Sequence, residues 1–246
     1  MSDGLEGPRR EVAIGCRVMA HCGLVENILG HISLRIDSGR ALVRCRGPHE
    51  AGLRFTTPDD IRVVDLASGE VLDDPDRSYA VPSELPIHTS VLAAQPDVAC
   101  VVHAHPPDVV VASLADIELE PIFGAYDIPA ARLASAGIPV HPRSVLIRND
   151  ALAAEMVASL GGAAALVLRG HGIVTTGADV ADAVLRALQL HTLARVHLRV
   201  RTAGATPAAI PDADLAELPD LGSTFNRETL WRHYVAALNN DGHGLN

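Results

Sequence analysis

The sequence predicts a single α/β domain over residues 1–246. Helical and strand-like segments alternate along the whole chain, no shift in composition divides it, and no segment repeats at a fixed period. With 48% hydrophobic residues in 246, the chain can bury a substantial core.

Residues 9–24 place Val12, Ile14, Val18, Met19 and Leu24 at helical spacing, with Gly23 as a stop. Ile32, Leu34 and Ile36 then alternate with polar neighbours. Residues 41–46 follow after the turn pair Ser38-Gly39, which predicts a hairpin. A turn at residues 56–60 precedes a strand from Ile61 to Val64, and the acidic stretch 72–79 reads as loop. Ser83 is placed to cap a helix whose first turn carries Glu84 and tolerates Pro86, and which ends near Pro96. Residues 97–105 form a β-branched apolar run stopped by Pro106-Pro107, the pattern of a buried strand, and Pro107 opens a helix through Leu114. Prolines and glycines punctuate 121–148. Asn149 caps the next helix and Gly161 stops it; two strand-like runs flank Gly170–Gly172, and a long Ala- and Leu-rich helix covers about 178–203. Residues 204–222 read as irregular and exposed. Residues 223–240 read as a last helix packing Leu230, Tyr234 and Leu238.

Composition narrows the chemistry. The formal charge of −10 disfavours nucleic acid and anionic membranes as partners, and no run of eighteen apolar residues offers a membrane span. The first residues carry no apolar stretch after Arg9-Arg10, so no secretory signal is expected and a cytoplasmic location is. Cys16, Cys22, Cys45 and Cys100 form no C-x-x-C pair and lie in apolar segments, the setting of free thiols. All 20 basic residues are arginine. Without lysine, Schiff-base catalysis, an internal aldimine with pyridoxal phosphate and a P-loop all lose their usual residue.

Three histidines stand out. In H-A-H, His103 and His105 are two apart on a strand and project from one face, about 7 Å apart, which suits two ligands of one ion. His171 sits in R-G-H-G, where flanking glycines let a strand end turn sharply and expose an imidazole. Three nitrogens with an open position describe a catalytic metal site. Glu84, at a helix start, can serve as a fourth ligand or a proton shuttle.

From about residue 10 to 200 the chain resembles the class II aldolase and adducin-head family. The resemblance is carried by Gly30-His31-Ile32-Ser33, the turn at 56–60, Pro82-Ser83-Glu84, His103-Ala104-His105-Pro106 and Arg169-Gly170-His171-Gly172. It implies a three-layer α/β/α domain with a largely antiparallel central sheet, assembled as a homotetramer with interfacial active sites. It also implies one divalent ion per subunit, zinc first and manganese, iron or cobalt as alternatives, on His103, His105 and His171, with Glu84 ligating or moving protons. Tyr126 and the segment Trp231–Tyr234 are then candidates to reach a neighbouring subunit's pocket.

The chain departs from the family's phosphate-binding pattern. His31, Arg46 and Pro82 stand where members acting on sugar phosphates carry amide or hydroxyl donors. Arg46 suits a carboxylate, and His31 can act as acid or base near neutral pH. Similar members decarboxylate dihydroxyphthalate-like aromatic acids. The expected activity is therefore carbon–carbon cleavage of a small, carboxylated, vicinally oxygenated substrate, best a dihydroxylated aromatic acid such as 3,4-dihydroxyphthalate, in aromatic catabolism. Glu84 and His31 would be catalytic, and Arg46, Ser33, Ser83 and Tyr126 would bind substrate. The alternatives are a sugar-phosphate aldolase or 4-epimerase and, from another class, a non-catalytic adducin-like interaction domain.

Overall fold

A computed structural model describes residues 4–245. Seven strands are present among them: β1 (His31–Arg35), β2 (Arg40–Arg44), β3 (Ile61–Asp65), β4 (Cys100–Ala104), β5 (Val140–His141), β6 (Ala165–Leu168) and β7 (Gly172–Gly177). They form one sheet in the order β3-β2-β1-β4-β7-β6-β5. Every pairing is antiparallel except the short parallel contact of β5 with β6. The sheet is largely antiparallel, as the family resemblance implied.

Alternation of side chains across the strands builds two cores. Ile32, Cys100, Val102 and Ile173 face one side, where α1 (Glu6–His21), α3 (Pro107–Leu114), α4 (Ile128–Ser135) and the long α6 (Val180–Thr202) pack. Ala41, Val43, Val101, Leu166 and Val174 face the other, against α2 (Leu85–Ala94) and α5 (Asp150–Leu160). On β4, His103 shares the face of Val101, two residues away; on β1, His31 and Ser33 oppose Ile32 in the same sense. The polar side chains of both central strands therefore point towards α2.

Asn149 caps α5 through the Leu152 N–H, and Gly161 ends it with φ 56°. All four cysteines are free, and burial pushes the Cys16 and Cys45 thiols up to about 12. Among the described residues, no helix is long and apolar enough to cross a membrane.

Two expectations need correction, at Ser83 and within 204–222, and two further segments are filled in by the structure. Ser83 does not cap α2: the helix starts at Leu85 with Glu84 at the N-cap position, because the Leu85 N–H closes a turn onto the Pro82 carbonyl. The punctuated stretch 121–148 holds α4, capped by the Asp127 carboxylate on the Ala130 N–H, and β5, whose two residues are too few to show periodicity. Within 204–222, read as irregular, Asp212–Glu217 forms a short helix α7 behind Pro211, with Asp212 and Asp214 in its first turn. The last helix, α8, spans Leu230–Asn240, preceded by a π-helical turn at Thr224–Thr229.

Candidate metal centre

The site lies at the end of the sheet where β1, β4 and β7 meet, under the start of α2. His103 is its centre, fully buried and opposite His31 in the β1–β4 register. Its Nδ1 donates to the Ile173 carbonyl at 2.9 Å, so a neutral His103 carries its lone pair on Nε2, facing the site. His105, just past β4, is tied by its backbone N–H to the Leu24 carbonyl, and its Nε2 lies 2.8 Å from His103 Nε2. His171 follows β6: its backbone N–H bonds the Leu168 carbonyl, Ser113 Oγ accepts from the Gly170 N–H, and Ser144 Oγ donates to the Arg169 carbonyl. Glycine is required at 172, where a Cβ would collide with the Ala104 carbonyl.

Glu84 completes the group. Its Oε1 accepts the Ile147 N–H at 2.9 Å, which turns Oε2 towards His103 Nε2 at 3.3 Å and His171 Nε2 at 3.5 Å. Burial alone would raise this carboxyl; the neighbouring His103 and His171 imidazoles outweigh it and hold Glu84 well below the usual carboxylate range. Burial likewise pushes His105 down to about 3. One ligand atom from each of Glu84, His103, His105 and His171 lies within 4.8 Å of the others, so the four donors converge on one small space as a metal-binding set would. The chemistry fits: three imidazoles and a carboxylate, with the outer atoms of His103 and Glu84 fixed by backbone groups.

Beside this group is a cavity of about 220 Å³ lined by His31, Arg46, Ser83, Glu84 and His105, with Leu29 and Leu146 at its edge. Arg46 is half-buried, and among the described residues its guanidinium has no ion pair or hydrogen bond. Gly30, at φ 87°, passes so close to Val25 and the His103 carbonyl that a side chain there would be crowded as well as strained. Five of the expected residues thus line one cavity, with His103 and His171 adjoining it.

Two do not. Ser33 is fully buried and hydrogen-bonded to His88, because the two-residue period sets it one step deeper along β1 than His31. Tyr126 is 70% exposed, packs edge-on against Phe123 and lines a different cleft with Phe225 and Tyr234. One residue was missed: His88, fully buried, joins Ser33 to His31. The signal was available, since Glu84 and His88 are four apart and share a helix face.

The family model described as Class II Aldolase and Adducin N-terminal domain matches residues 10–198. The chain belongs to this family. Within the class II aldolase family it is 51% identical over 237 residues to a 3,4-dihydroxyphthalate decarboxylase of Arthrobacter keyseri, covering 94% of each chain. A 3,4-dihydroxyphthalate decarboxylase of Terrabacter sp. (strain DBF63) is 49% identical, covering 97% of this chain and all of the other. The crystal structure of an aldolase II superfamily protein from Pseudomonas syringae superposes with a TM-score of 0.80 at 21% identity, over 99% of this chain and 96% of that one, and supports the fold alone. The family and the His/Glu cluster together suggest a divalent metal.

Proposed function

We propose that this protein is a carboxy-lyase that removes carbon dioxide from a dihydroxylated aromatic acid, 3,4-dihydroxyphthalate or a close relative. The observation that carries the reading is the unpartnered Arg46 guanidinium in the same cavity as Glu84, His31 and His105. A free, half-buried cation beside a metal-ligand group suits a substrate that offers both a carboxylate and neighbouring oxygens. Relatives at about half identity over nearly the whole chain carry that activity in their names.

When bound, a divalent ion on His103, His105, His171 and Glu84 would polarise neighbouring ring oxygens and draw off electron density as the carbon–carbon bond breaks. Zinc suits the donors best, with manganese, iron or cobalt as alternatives. Arg46 orients the carboxylate. Glu84, in the same cavity, is the group able to hold or pass a proton, and His31 offers a ring nitrogen to a substrate oxygen. The ring carbon gains a proton, the bond to the carboxyl carbon breaks, its electron pair returns to the ring, and carbon dioxide leaves.

The same reading takes the chain as one domain working in the cytoplasm in aromatic catabolism. It also takes it as a homotetramer in which Tyr126 and α8 serve a neighbour's site; the exposed Tyr126 and Phe225 support that arrangement. Incubating zinc-loaded protein with 3,4-dihydroxyphthalate should release carbon dioxide and 3,4-dihydroxybenzoate. Cleavage of a sugar phosphate, with no carbon dioxide from any dihydroxy acid, would refute the reading.

A further inference from the structure

Ser33, His88 and His31 form an unbranched row of hydrogen bonds whose direction is set by its buried end. Ser33 Oγ lies 2.7 Å from His88 Nδ1, and His88 Nε2 lies 2.7 Å from His31 Nδ1. Ser33 and His88 are both fully buried. Among the described residues the serine hydroxyl has no partner except His88, and His88 has none except Ser33 and His31.

A neutral imidazole carries one N–H, so the row has two possible directions. If His88 donated from Nδ1 to Ser33, the hydroxyl hydrogen would be left without an acceptor in a dry site, at about 1–3 kcal/mol. If Ser33 donates instead, every hydrogen is used. His88 accepts at Nδ1 and donates from Nε2 to His31 Nδ1, which leaves the His31 hydrogen on Nε2. That nitrogen has no protein partner among the described residues, and its ring lines the cavity beside Arg46.

The geometry points to Ser33 and His88 as positioning residues that hold His31 in the neutral Nε2–H tautomer and present that N–H to an oxygen of the substrate. The substrate half of this inference rests on the decarboxylase reading; the tautomer does not. Burial supports neutrality, since both rings are removed from water and neither has a carboxylate within hydrogen-bond reach among the described residues. The row cannot supply a proton, because it ends on a serine hydroxyl, a very weak acid with nothing behind it. His31 therefore acts as a fixed hydrogen-bond donor, which strengthens as negative charge develops on the oxygen it meets.

The test uses zinc-loaded protein labelled with nitrogen-15 at histidine. Nitrogen NMR reads the protonation of each ring nitrogen, and His31→Asn assigns the His31 signals. Wild-type protein should show His31 protonated at Nε2 and bare at Nδ1. Ser33→Ala and His88→Leu should give a mixture of tautomers, whereas His88→Gln, which keeps a donor, should restore the Nε2–H form. With 3,4-dihydroxyphthalate, His88→Leu should lower kcat roughly 10- to 100-fold with KM little changed, and His88→Gln should recover most of it. A hydrogen on His31 Nδ1 in the wild type, or a tautomer unmoved by both Ser33→Ala and His88→Leu, overturns the inference. The expected tautomer in a protein that releases no carbon dioxide would instead overturn the decarboxylase reading and leave the positioning claim standing.

Discussion

The four converging donors and the Ser33–His88–His31 row share one face of one sheet, yet they are anchored in different ways. In the first group the backbone holds the outer atoms: the Ile173 carbonyl takes the His103 Nδ1–H, and the Ile147 N–H takes Glu84 Oε1. In the second, side chain holds side chain, and only one end of the row is closed. A backbone-held group keeps its geometry when a neighbour changes; a row of side chains passes a change at one end along to the other. The first arrangement suits an ion that needs fixed ligands, and the second suits a ring whose tautomer must be chosen.

Substitutions should separate the two groups. The largest effect is expected from His103→Ala, which removes the central donor: metal content measured by atomic absorption should collapse and decarboxylation should fall roughly 10³-fold or more. His31→Asn should keep its metal and lose about 10²-fold in kcat. If His31→Asn lost metal as readily as His103→Ala, the division between the groups would fail. Arg46→Met should act mainly on KM, by roughly 10- to 100-fold, as expected for one charged hydrogen bond to a carboxylate. An unchanged KM would remove Arg46 from substrate binding.

Smaller effects probe the supports. Ser113→Ala deletes the acceptor for the Gly170 N–H and should weaken zinc binding by about tenfold without altering the His31 tautomer. Acid should expose the buried row. Burial depresses His88 from its ordinary 6.5 to about 3, so between those values the unfolded chain binds a proton that the folded chain refuses. The stability is complete above pH 6.5 and declines as pH falls towards 3. Urea melts across that range should show the decline, and His88→Gln should flatten it; an equal slope in both proteins would show that His88 is not held neutral.

Legibility in the sequence followed the same division. His103, His105, His171 and Glu84 could be read because each sits in a short pattern, and Asn149, Pro107 and Gly161 marked helix ends because capping is local. His88 was missed since its partners, Ser33 and His31, are more than fifty residues away and meet it only through the packing of α2 on β1. Ser33 was misassigned for a related reason: alternation places it on the correct face but says nothing of how deep along the strand a cavity reaches. The largely antiparallel character of the sheet was likewise not visible in spacing and came from the family resemblance, and the pairing of β4 with β7 emerged only in the structure. The two-residue β5 and the helix α7 were too short for any period to register.

The pairing of β4 with β7 also bears on how the chain folds. His103 is bonded to Ile173, 70 residues further on, and Glu84 is bonded to Ile147, 63 further on. These are contacts of long sequence separation, and such contacts are slow to form because the intervening loop must close first. The helices can form early from local signals, whereas the donor set is assembled only when the two strands zip together. A divalent ion that reaches the chain during synthesis therefore meets scattered histidines; only after the sheet closes does it meet one site.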